Sequence, residues 1–197
     1  MQGVWLIVLA LIGIQFTILV GLWQRRQRQR LTPILQLLDA ESGVLTLPLV
    51  GIPQIEGRWH RRQVRIQAFE RRGRPQLRIG LSSSASIFFT AQPRHGPKAR
   101  GRVRRLQVML QAPELDENFR FYCNSSDRFR ATLRRAGVQS SLLALLKTPY
   151  LAQINSENGW LEALLLSDPQ KKGWDAPRLR LALDRLHRLA MALEGKT

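Results

Sequence analysis

From Val4 to Trp23 the chain reads VWLIVLALIGIQFTILVGLW, a run without charge in which only Gln15 and Thr17 are polar. As a helix it would span roughly 30 Å, the hydrocarbon thickness of a bilayer. Trp5 and Trp23 stand at its two ends, where interfacial aromatic belts belong. The pattern predicts a transmembrane anchor over residues 1–30. A cleaved signal peptide would want a charged segment before a shorter core, and Gly21-Leu22-Trp23 is a poor cleavage site. Arg25, Arg26, Arg28 and Arg30 follow the span and no basic residue precedes it. The positive-inside rule then puts the N-terminus outside and the bulk of the chain in the cytoplasm. Gly13, Thr17 and Gly21 recur at every fourth position, so one helix face could admit a packed helix from a second copy or from another membrane protein.

Past the anchor, Thr32-Pro33 has the form of an N-cap followed by proline at the first helical position. With Gly43 as a stop, it predicts a short juxtamembrane helix over 31–43 and a tether of roughly ten residues. The rhythm then changes to period two, the mark of antiparallel strands with one wet face. Apolar sets occur at Val64, Ile66 and Ala68, at Leu77, Ile79 and Leu81, and at Ile87, Phe89 and Ala91. They recur at Leu106, Val108 and Leu110, and at Phe119, Phe121 and Cys123. Asn124–Asp127 offers a cap for a helix through Phe129 and Leu133, closed by Gly137. Ser140-Ser141 offers another for LLALLK, stopped by Pro149. Asn158-Gly159 marks a hairpin. After Asp175-Ala-Pro, the residues Leu179, Leu183, Leu186, Ala190 and Leu193 form a helical stripe that ends at Gly195. The expected fold is α+β: one N-terminal membrane helix, then a domain at 44–197 with a mostly antiparallel sheet packed by helices, one of them the C-terminal amphipathic helix.

Charge adds one sharp feature. The net charge is +17, with 31 basic residues of which five are lysine. Residues 58–113 carry 14 basic groups against one acid, net +13. On the strand pattern, the wet face carries Arg65, Arg78, Arg105 and Arg120 among Gln63, Gln67, Gln76, Gln107 and Gln111. The following loop adds Arg94, Lys98, Arg100, Arg102 and Arg104. Such a face attracts anionic headgroups or an acidic protein surface. Single-stranded nucleic acid is the less favoured ligand, because Phe89, Phe119 and Phe121 fall in the apolar register and leave few stacking platforms.

Catalytic chemistry is not apparent. His60, His95 and His187 fall in different elements, and a lone cysteine makes neither a disulfide nor a zinc framework. Cys123 shares its alternation with Phe119 and Phe121 and is expected to be a buried thiol. Gly96–Gly101 lacks the pattern and context of a phosphate loop. No catalytic residue, metal site or cofactor is therefore expected. The sequence points to a non-catalytic accessory, scaffold or assembly subunit of a membrane complex, with a membrane-tethered nucleic-acid binder as the alternative.

Overall fold

In the computed structural model, residues 2–38, 43–48, 52–71, 73–94, 106–135, 137–168 and 174–196 are described; the side chains of 2–10, 30, 33 and 106 are not. The chain opens with one 34-residue helix, α1 (Gln2–Leu35). The nine strands are β1 (Val44–Thr46), β2 (Gln54–Trp59), β3 (Arg62–Arg71), β4 (Arg74–Ser82), β5 (Phe89–Pro93), β6 (Leu106–Val108), β7 (Phe119–Cys123), β8 (Leu151–Glu157) and β9 (Trp160–Leu166). The remaining helices are α2 (Pro113–Asn118), α3 (Ser126–Leu133), α4 (Val138–Leu146) and α5 (Ala176–Glu194).

Among the described residues these nine strands join one antiparallel sheet, ordered β1-β2-β3-β4-β9-β8-β5-β7-β6. The period-two pattern is the cause. Val64, Ile66, Leu77, Ile79, Leu81, Leu161, Ala163 and Leu165 are all buried on one face, as are Ile154, Phe89, Ala91 and Phe121 further along. Helices cover that face. The α5 stripe lies over β4 and β9 with α4 beside it, and Leu179, Leu183, Leu186, Ala190 and Leu193 are buried as the spacing requires. Each buried leucine contributes about 1.5–3 kcal/mol of transfer free energy. On α3, Phe129 stacks on Phe89 at 4.8 Å between ring centroids and meets Phe121 at 5.9 Å.

Several local expectations shift. Thr32-Pro33 does not start a separate helix: both residues lie in the last turns of α1. The Thr32 hydroxyl donates to the Arg28 carbonyl at 2.7 Å. In place of a ten-residue tether, α1 runs into the domain, and Leu31, Ile34 and Leu38 are buried in the common core. Likewise Ser140 and Ser141 sit inside α4, whose N-cap is Gly137 in the left-handed region. Asn158 and Gly159 take positive φ and make the two-residue β8–β9 turn.

The sequence-predicted span Val4–Trp23 lies partly outside the described side chains. Among the described residues no helix is long and apolar enough to cross a membrane. From Leu11 on, α1 is nonetheless strongly apolar on its surface: Leu11, Ile12, Ile14, Phe16, Ile18, Leu19 and Leu22 are 54–65% exposed.

The end of α5 is locked to the sheet by a buried ion pair. Glu194, 2% exposed at its side chain, accepts from Arg62 Nη1 and Nη2 at 2.7 Å each. It also accepts from the Ser84 amide at 2.8 Å and the Ser83 hydroxyl at 3.1 Å. Hydrogen bonds from Arg62 hold its carboxyl far below the ordinary range, against the opposing pull of burial, with help from the Ser84 amide and Lys196. A carboxyl with a depressed folded pKa stabilises the fold above its unfolded pKa, about 4.3, and loses that contribution as pH falls below it. Glu194→Gln is expected to cost about 3 kcal/mol at pH 7, because it strands a buried guanidinium. Urea unfolding of the full chain in detergent checks this. The variant should also lack the share of acid destabilisation below about pH 4.3 that Glu194 gives the parent.

Candidate functional site

The described helices leave the centre of the second face of the sheet open, and many of its side chains bond to one another. The register arranges them in two transverse rows. One runs Glu56–Arg65–Gly80–Glu162–Asn155–Thr90–Tyr122–Gln107 across eight strands. The other runs Gln54–Gln67–Arg78–Leu164–Gln153 across five, and beyond it Gln92 pairs with Arg120. Amides bridge neighbouring strands: Gln67 Nε2 donates to Gln54 Oε1 at 2.8 Å, and Gln92 Nε2 to Gln153 Oε1 at 3.1 Å. Along β8, Gln153 Nε2 donates to Asn155 Oδ1 at 2.6 Å, which also accepts from the Thr90 hydroxyl at 2.9 Å.

Three of the predicted anion-binding arginines, Arg65, Arg78 and Arg120, do fall on this face. They do not form a bare cationic patch. Glu162 stands between the first two, 3.2 Å from Arg65 Nη2 and 4.0 Å from Arg78 Nε. The Arg65 guanidinium lies over the Trp160 ring at 4.6 Å, and that of Arg78 over Phe69 at 5.5 Å. Arg120 stands four strands from Arg78, about 19 Å away at the usual strand spacing. Arg94 turns to a structural task, its Nε donating to the Asp116 carbonyl at 2.7 Å. Lys98, Arg100, Arg102, Arg104 and Arg105 lie outside the described residues. On α1, Arg25, Arg26 and Arg28 are exposed, and the Arg30 side chain is outside the description. Gly13 and Gly21 face open space, and the Thr17 hydroxyl donates to the Gly13 carbonyl at 2.8 Å.

The fold brings together two histidines that the sequence leaves 127 positions apart. His60 in the β2–β3 turn and His187 on α5 have ring centroids 4.7 Å apart, and His60 Nε2 is 3.5 Å from Asp184 Oδ1. Burial lowers the pKa of His187, and nearby His60 and Arg62 push it the same way. His95 is outside the described residues. Among the described residues no group of three or more His, Cys, Asp or Glu could hold a metal ion. Cys123 is buried, as its alternation class requires.

No family model matches the chain, and no curated protein does. Among solved structures, the crystal structure of the mycobacterial trehalose monomycolate transport factor A, TtfA, is similar with a TM-score of 0.50 at 14% identity, over 73% of this chain and 75% of that one. At that identity the likeness concerns the fold alone.

Gly80 holds the centre of the open face. A Cβ there would lie 3.3 Å from Trp160 Cε3 and 3.6 Å from Glu162 Cγ. Gly80→Val is expected to displace the Trp160 ring from beneath Arg65 and to destabilise by about 1–3 kcal/mol, the usual cost of overpacking. Trp160→Ala in the same chain should remove most of that cost. A double-mutant cycle by urea unfolding measures the coupling.

Proposed function

We propose that this chain is a membrane-anchored, non-catalytic accessory subunit. Residues 4–23 cross the bilayer, the N-terminus lies outside, and the folded domain stands on the cytoplasmic side. One observation carries the reading. A single helix buries Leu31 and Ile34 in the domain core while it exposes a column of large apolar side chains from Leu11 to Leu22. An apolar surface of that extent on a soluble chain would drive association, and a bilayer relieves it. Arg25, Arg26 and Arg28, exposed directly after the apolar run, suit anionic headgroups at about 1 kcal/mol each.

The open sheet face supports an accessory role in a complex. It is broad, rich in amides and only locally charged, so it suits a polar protein partner better than a polyanion. Stacking of nucleobases would need free aromatic faces, and the Arg65 guanidinium already lies over Trp160. The similar fold belongs to a mycobacterial transport factor, and an accessory role is the corresponding reading for this chain. The basic residues among 95–105 would then meet headgroups or an acidic patch on the partner.

Fractionation tests the anchor. The full chain is expected to stay with membranes through alkaline carbonate, and a chain lacking residues 2–24 to be released. Release of the full chain would overturn the reading. In mild detergent the full chain should co-purify with a membrane protein in stoichiometric amount. Glu162→Arg on the open face should abolish that retention, and the thermal transition should remain cooperative.

A further inference from the structure

Beside the β3–β4 turn, where α1 enters the domain, lies a cleft of about 340 Å³. That volume is in the range of small-molecule sites. One wall is the α1 face that carries Trp23, Gln27 and Leu31, three positions at fourfold spacing and therefore aligned along the helix. The opposite walls include Phe69, Gln76 and Trp174. Leu31 closes the inner end in the core, whereas Trp23 is the last residue of the charge-free run. The cleft thus extends from the core to the level at which α1 becomes apolar. Its lining is aromatic along the sides, with Gln27, Gln76 and Glu70 as polar groups.

Two features select an occupant. Among the described residues the Gln76 Oε1 is buried and has no hydrogen-bond partner, a condition that costs about 1–3 kcal/mol until a donor arrives. Glu70, which also lines the cleft, favours a neutral or cationic group and disfavours a bare phosphate. We infer that this cleft binds a membrane lipid whose headgroup donates hydrogen bonds, an ammonium or hydroxyl, to Gln76, while the first part of an acyl chain lies against Trp23 and Trp174. This rests on the membrane anchoring proposed above. Trp23, at the interface, is where such a lipid would leave the bilayer.

The full chain in nanodiscs provides the test, with phosphatidylethanolamine as the donor headgroup and phosphatidylcholine, of equal charge but without donors, as the control. Native mass spectrometry counts the lipids retained after release. The expected result is one tightly held lipid, with phosphatidylethanolamine preferred about tenfold, the value of one hydrogen bond to a buried acceptor. Gln76→Leu should keep retention but erase the preference. Ala68→Trp, which fills the cleft, should lose the retained lipid while its thermal transition stays cooperative. A chain that inserts but retains neither lipid above background, or retains both equally, overturns the cleft proposal alone. A chain that does not insert overturns the anchoring reading, and the cleft proposal with it.

Discussion

Pairing of β4 with β9 joins the N-terminal strand meander to the C-terminal hairpin, and the rest of the structure is built around that joint. The two strands are about eighty positions apart, yet their register, Gly80 opposite Glu162 and Arg78 opposite Leu164, decides what both faces become. On the covered side it aligns Leu77, Ile79 and Leu81 with Leu161, Ala163 and Leu165 beneath α5. On the open side it places one carboxylate between two guanidinium groups. A slip by one residue would turn every side chain of β9 to the wrong face. The Arg62–Glu194 pair guards this arrangement from above, because it ties the start of β3 and the end of β4 to the last turn of α5.

With the centre of its second face left open by the described helices, the sheet must satisfy the polar groups there laterally. Gln, Asn and Thr do so through strand-to-strand hydrogen bonds. These side chains carry both donors and acceptors, so they can pair with one another in a row as arginines cannot. The described outer strands of the sheet, β1 and β6, are three residues each, and short edges offer little template for further strand addition.

Where hydrophobic period and turn chemistry agree, the chain announces its own elements, as in β3, β4, β7, the β8–β9 hairpin and the α5 stripe. It hides those whose cause is tertiary. In β2, QIEGRW, alternation is weakened because Gly57 occupies one inward position. In α2, PELDEN, Leu115 is the one apolar residue, and the buried Asp116 carboxylate is explained by what it accepts: the Leu110 and Ala112 amides. The His60–His187 contact needs the β2–β3 turn to meet α5, which no local pattern encodes. Thr32-Pro33 has the chemistry of a helix start, and only the burial of Leu31 and Ile34 explains why α1 continues through it.

The same distinction governs the charge. Formal counting gives residues 58–113 a net +13, but a count is not a field. Arg62 is spent on Glu194, Arg65 and Arg78 share Glu162, and Arg94 closes a loop onto Asp116. The two acids that the first three arginines meet, Glu194 and Glu162, come from residues 162–194, so the pairing exists only once the sheet folds, and it offsets part of the block's charge. Opposite charges a few ångströms apart present a dipole rather than a net charge to anything beyond a Debye length of about 8 Å. Long-range attraction to an anionic surface must then come from charges without such neighbours. Along α1 these are Arg25, Arg26 and Arg28, which are exposed and stand where the apolar run ends. Charge that acts at a distance thus stands beside the apolar stretch of α1, whereas around Glu162 the sheet face presents paired charges and a row of hydrogen-bonding amides.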